Sequence, residues 1–285
     1  MTTAPVGPVT DVAAAAQEQA RQAAAAAGVR TVPLTTTDEV RTVLPVIEAV
    51  WGPSDIPPPN LLRALAHAGA VVLAAEPVES VAGAEGIVGF ALGFLGWRGG
   101  LHLHSHQVAV LPAAHSRGIG YALKLAQRAE CLQQGVTDCR WTFDPLLIRN
   151  ARFNFQRLGV RGVAFLPECY GQMEDAINRA DVSDRFEVSW WLTDPVRARA
   201  AESGPPLITT APDGYPRRTP TAVDAGVCVA VPADYATLRT AGDPRAAAWR
   251  SLTREVFTEC FSAGLVADSL GPDGYRFTPD RKGRP

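Results

Sequence analysis

The stretch that decides the fold reads Val108-Ala109-Val110-Leu111-Pro112-Ala113-Ala114-His115-Ser116-Arg117-Gly118-Ile119-Gly120-Tyr121-Ala122-Leu123-Lys124. Val108 to Leu111 is apolar and rich in β-branched residues, Pro112 closes it, and apolar residues recur at helical spacing after Gly118. A strand therefore runs through a short loop into a helix. Gly118 and Gly120 let the backbone curl and let a ligand approach it closely. The first turn of a helix offers N–H groups that have no intrahelical acceptor, and its dipole favours negative charge. A pyrophosphate suits such a turn, with Arg117 and Lys124 adding positive charge at the mouth. The spacing is not that of a Walker A loop, since no Lys-Ser or Lys-Thr follows. It is a poor dinucleotide fingerprint too, because the third glycine is missing.

Reading upstream, Ile87–Trp97 and Leu101–Leu111 are two long strands around the turn Arg98-Gly99-Gly100, an antiparallel hairpin. Ala70–Ala75 is apolar throughout and reads as a buried strand. Thr36 and Glu39 have capping-box spacing ahead of a helix that carries Val40, Leu44, Ile47 and Val50 and stops near Gly52. Pro57-Pro58-Pro59 is a rigid connector, and Asn60 caps a short helix, Leu61–Ala68. Downstream come a helix over Gly118–Gln134, a strand over Cys139–Phe143, a helix over Ile148–Leu158 and strands over Val160–Leu166 and Phe186–Leu192. The order predicts a mixed α/β domain with a mixed sheet. Residues 1–29 read as a flexible Ala-rich leader, 30–194 as the main domain and 195–222 as a linker or wrapping arm. Residues 223–285 read as a small α/β extension with a helix over Asp243–Ser262. It packs either on that domain or across a homodimer.

Composition narrows the partners. The chain has 285 residues, 47% of them hydrophobic, and a net charge of −2. That is enough for a sizeable core and gives no global field to draw nucleic acid or an anionic membrane. The polar residues Gln17, Glu18, Gln19, Arg21 and Gln22 break up the Ala-rich start, so it reads as neither signal peptide nor membrane span. Five scattered cysteines, none in a C-x-x-C pair, predict buried thiols in a reducing, cytoplasmic setting.

The loop His115-Ser116-Arg117-Gly118-Ile119-Gly120 resembles motif A of the GNAT acyltransferases, a Q/R-x-x-G-x-G/A loop, with His115 where Gln or Arg is usual. Asn150-Ala-Arg-Phe-Asn-Phe155-Gln-Arg-Leu-Gly159 resembles a second segment of that family, and the element order over roughly residues 30–194 agrees as well. A branch of predicted members shares His104-Ser105-His106, Trp141 to Leu146 and Asp184 to Leu192, together with a C-terminal extension. The resemblance implies a GNAT fold and an N-acyltransferase using acetyl-CoA or another acyl-CoA, acetyl or succinyl, on a small-molecule amine such as an amino acid. It implies that Val108, Val110, His115, Ser116, Arg117, Gly118, Ile119, Gly120, Tyr121 and Asn150 bind coenzyme A.

Such chemistry needs a base to free the amine, a donor for the oxyanion and an acid for the thiolate. Strand alternation puts His102, His104 and His106 on one face. His106 is the favoured base, with His104 second, and Asp144 is placed to grip an acceptor ammonium. The usual acid, a Tyr, is replaced by Phe155, leaving Tyr121 and Tyr170 as substitutes. Two other readings stand beside this one. One is an acyl-CoA-binding protein without catalysis. The other is a metal hydrolase on the H-x-H pairs; the favoured reading needs no metal.

Overall fold

The structure is a computed structural model that describes residues 8–53, 56–79, 86–173, 181–197 and 202–280. The chain divides into two compact units, and the division falls inside one strand, after Arg140.

The first unit begins with α1 (Pro8–Ala26), β1 (Val29–Pro33), α2 (Thr37–Arg41), α3 (Leu44–Trp51), α4 (Pro59–His67) and β2 (Val71–Pro77). The hairpin β3 (Gly89–Gly96) and β4 (His102–Val110) follows, then α5 (Ile119–Gln133) and the start of β5 (Asp138–Phe143). Strands β1 to β4 form an antiparallel run, while β4 pairs with β5 in parallel at Leu103–Cys139 and His104–Arg140. The sheet is therefore mixed. One face is covered by α1 and α5, with Leu73, Ala91, Ile119 and Leu123 at the contact. The other is covered by α2, α3 and α4, through Val40, Ile47, Leu62, Phe90 and Leu92.

The second unit holds the end of β5, α6 (Ile148–Arg152, continuing as a π-helical turn over Phe153–Leu158), β6 (Arg161–Leu166) and β7 (Arg185–Trp191). To these it adds β8 (Pro206–Thr210), β9 (Pro216–Arg218), β10 (Cys228–Val229), α7 (Tyr235–Thr240), α8 (Pro244–Ser262), β11 (Leu265–Gly271) and β12 (Gly274–Pro279). Strand β6 pairs antiparallel with β7 and β11, and β11 with β12. Phe186 sits at the centre of an aromatic core, with ring centroids 4.6 Å from Phe257, 5.1 Å from Tyr275 and 5.3 Å from Phe261.

Several local expectations hold. Thr36 and Glu39 form the capping box, and Gly52 ends α3 with φ of 93°. Others are corrected. The leader, expected to be a frayed and flexible helix, is a helix packed along α5, with Ala16, Ala20, Ala24 and Ala27 buried, because its small residues repeat every three or four positions and let two helices close. Asn60 lies inside α4, whose N-cap is Pro58, since proline fits the first turn of a helix. The supposed arm at 195–222 carries β8 and β9. In the extension, Phe257 of α8 packs against Phe165 of β6 and Phe186 of β7.

Four cysteines, Cys131, Cys139, Cys228 and Cys260, are buried; Cys169 is exposed, and all five are free thiols. Among the described residues no helix is long and apolar enough to cross a membrane.

Candidate active site

After Val110 the chain makes one 3-10 turn over Pro112–Ala114, and His115 donates its Nε2–H to the Val110 carbonyl at 2.9 Å. This bond ties the loop to the strand it leaves. Ser116 (φ 64°) and Gly118 (φ 86°) both take left-handed backbone, a conformation glycine adopts freely and serine seldom does. The result is a curl whose residues 115–118 are all exposed, directly before α5. Ala122 N–H bonds to Gly118 O, so the N–H groups before it fall in the turn that has no intrahelical acceptor. Arg117 is exposed at the mouth, with no ion pair among the described residues. A Cβ on Gly120 would meet only Val110 Cγ2, at 3.8 Å, so the space beside it is open. The residues fit a pyrophosphate: paired left-handed positions, a helix N-terminus and one uncommitted cation.

Lys124 is the exception. It is 4% exposed, and its Nζ donates to Ser105 Oγ at 2.8 Å, which in turn donates to Gln127 Oε1 at 2.8 Å. Helix α5 is buried nearly all round because α1 covers its outer side, so a position one turn past Gly120 points inward. Burial pulls the Lys124 ammonium down to about 8. Its place at the mouth is corrected, and of the two cations expected there only Arg117 is exposed. Val108 and Val110 are half-buried and pack against the α1–α5 core. Ile119 is buried, and Tyr121 is half-buried in the first turn of α5.

The histidines lie on the sheet's opposite face. The β3–β4 register shifts between Leu92–Gln107 and Gly93–Ser105, leaving His106 as an extra residue, a β-bulge. His104 and His106 stand 6.2 Å apart between ring centroids, and Phe94 is 5.4 Å and 5.7 Å from them. His102 is drawn away from this group. Its Nδ1–H donates to Gly100 O at 2.8 Å, and it lies so close over Gly96 that a Cβ there would sit 2.6 Å from its Nε2. Burial first, then the charges of His106, His102 and Lys124, pull His104 down to about 4, so it is a neutral imidazole at physiological pH. His106 is exposed and opens onto a cavity of about 310 Å³ lined by Pro58, Leu61, Leu65, Leu92, Phe94 and Gln107. Among the described residues no group of three or more His, Cys, Asp or Glu side chains is placed to hold a metal ion.

Asp144 and Asn150 lie in the second unit. Asp144 is 4% exposed and binds Arg250 at 3.0 Å and 2.6 Å, while its Oδ1 also accepts from Leu146 N–H at 2.9 Å. A carboxylate so buried and already paired with a guanidinium is closed to an acceptor ammonium, and the expectation for Asp144 is corrected: it anchors α8. Asn150 is exposed on α6. Phe155 belongs to the aromatic core, 5.4 Å from Tyr275 and 6.3 Å from Phe143. Tyr170 shares a 2.7 Å hydrogen bond with Thr142, and burial raises its pKa.

Sequence reasoning missed Gln107 and the apolar wall of α4. Alternation would send Gln107 to the face opposite His106. The bulge, a product of pairing, returns it to the same side.

No family model and no curated protein sequence matches the chain. Solved structures of similar arrangement include a ribosomal-protein-alanine N-acetyltransferase from Brucella melitensis, 17% identical, covering 57% of this chain and 99% of that one with a TM-score of 0.43. Another is an IAA acetyltransferase from Bacillus cereus, 12% identical, covering 57% of this chain and 99% of that one with a TM-score of 0.41.

Proposed function

We propose that this chain is a cytoplasmic, acyl-CoA-dependent N-acyltransferase that moves an acetyl or succinyl group onto the amine of a small molecule such as an amino acid. The observation that carries the reading is the exposed curl from His115 to Gly118, closed onto Val110 and set on the N-terminus of α5. In this reading the backbone N–H groups of Gly118, Ile119 and Gly120 bind the pyrophosphate and Arg117 neutralises part of its charge. His106 takes a proton from the acceptor ammonium. The freed nitrogen lone pair attacks the thioester carbonyl, the C–S bond breaks, and the coenzyme A thiolate leaves and takes up the second proton shed by the nitrogen, so that the products are the neutral amide and the thiol. Because Phe155 has no proton to give, the thiolate departs without help from that position.

Melting in the presence of acyl-CoAs tests the loop. Ligand at about 100 times its Kd adds about 2.7 kcal/mol to the unfolding free energy. Gly120→Val is the informative variant, since its Cβ fits the fold while its branches crowd the first-turn N–H groups. It abolishes the shift without lowering the unliganded melting temperature. His106→Gln keeps the shift and slows transfer by about 10²–10⁴, the usual worth of a general base. No shift with any acyl-CoA overturns the proposal. A shift without thiol release over an amine panel supports the non-catalytic reading, which Phe155 in the core favours.

A further inference from the structure

The cavity beside His106 has a chemical bias of its own. Its walls are apolar: Pro58, Leu61 and Leu65 on one side, Leu92 and Phe94 on the sheet. Among its described lining residues only His106 and Gln107 carry polar side-chain groups, and none carries a carboxylate, a guanidinium or an ammonium. Helix α4 separates its two faces sharply. Leu61, Leu62 and Leu65 turn to this cavity, whereas Asn60, Arg63 and His67 line a different one of about 420 Å³. Of the residues that line the apolar cavity, Gln107 has one unpaired polar atom. Gln107 Oε1 is buried and has no hydrogen-bond donor among the described residues. A buried carbonyl oxygen left unpaired has given up its hydration without replacement, so such atoms are rare and call for a partner.

We infer that this cavity is the acceptor site and selects a primary amine with an uncharged, aliphatic or aromatic body, the amine donating an N–H to Gln107 Oε1 while it faces His106. This rests on the acyltransferase reading and names its substrate class. The amine brings what Gln107 lacks, a donor, and the apolar body covers surface that polar or charged groups would leave desolvated and unpaired. A polyamine or a basic amino acid places a second charge where none of the described lining residues carries a counter-charge. Gln107 is a positioning residue: it holds the nitrogen and does not itself move a proton.

The test uses the full chain with saturating acetyl-CoA and, separately, succinyl-CoA, and reads thiol release. Across the n-alkylamines from ethylamine to hexylamine, kcat/KM rises about fourfold per methylene until the cavity is full, as about 0.8 kcal/mol per buried CH2 requires. Phenethylamine and leucine amide exceed putrescine, spermidine and lysine amide. A flat alkyl series, or a preference for the charged amines, overturns the inference while leaving the transferase intact. Gln107→Leu raises the amine KM by about 2- to 13-fold, the range of one net hydrogen bond. In that variant kcat, the acyl-CoA melting shift and the unliganded melting temperature are held or improved, since an unpaired oxygen has been removed. Gln107→Glu restores the acceptor and moves preference toward diamines. An unchanged KM in Gln107→Leu removes its role. Binding of phenethylamine to the coenzyme A-loaded protein, followed by calorimetry, gives a readout without turnover. Binding with no transfer preserves the cavity and overturns catalysis, whereas no binding of any apolar amine overturns the cavity.

Discussion

His104 and His106 are two positions apart on one strand, yet their surroundings give them different chemistry. His104 is half-buried and its pKa falls from 6.5 to about 4, so between those values the unfolded chain holds more protons at this site than the native one. Its contribution to stability is therefore complete above pH 6.5 and is lost as the pH falls toward 4. The melting temperature declines over that window, and the decline is shallower in His104→Asn; an identical slope in the variant assigns the loss to other groups. The three histidines were legible from strand alternation, as was the shared face of His104 and His106. What escaped was the difference between them. His102 is held by its own hairpin turn, Phe94 packs beside the other two, and both facts depend on which residue of β3 lies opposite. The same dependence hid Gln107. A bulge is decided by how two strands register, and one strand's sequence does not contain the partner's frame.

Among elements, α1 shows how an Ala-rich segment misleads. Its mean hydropathy is low and its polar residues are many, so it reads as frayed. Yet alanines at 16, 20, 24 and 27 form a narrow stripe, and a helix with so little side chain on one face can approach another closely. Arg128 of α5 completes the contact, donating to Gln19 at 3.1 Å and to the Leu192 carbonyl at 2.8 Å. Closeness leaves no spare volume. Ala20→Leu, a good helix former at a position only 7% exposed, destabilises the first unit by about 1–3 kcal/mol in a denaturant titration. A neutral result marks α1 as peripheral. The hairpin, α5 and the capped α2 were legible because each carries its own local signal: alternation, a helical apolar period, a side-chain cap. Strands β8 and β9 were not, because they are short, lie in a Pro- and Thr-rich stretch, and are strands only by pairing with one another and with β10.

At the scale of the chain, the extension is held to its own unit by charge as well as by rings. Arg250 is 6% exposed and binds Asp144 at 3.0 Å and 2.6 Å and Asp181 at 2.8 Å, while Arg254 binds Asp184 at 2.7 Å. Removing one partner of a buried pair strands the other, so Arg250→Met costs about 3–5 kcal/mol, measured by denaturant unfolding. A cost under about 1 kcal/mol means that solvent reaches Asp144. The stretch 195–222, read as a linker or wrapping arm, is where strands become short, and α8 and the β11–β12 hairpin still enclose Phe186. The placement of the thiols has a practical outcome. Burial holds Cys139 up at about 11 and Cys260 at about 12, and raises Cys131 and Cys228 as well, while Cys169 stands exposed. The folded chain thus offers one alkylating site and conceals four, Cys131 and Cys139 in the first unit and Cys228 and Cys260 in the second. Each unit carries its own pair of internal clocks. Mass increments under a brief alkylating pulse, located by peptide, time the opening of each unit separately in the unmodified protein.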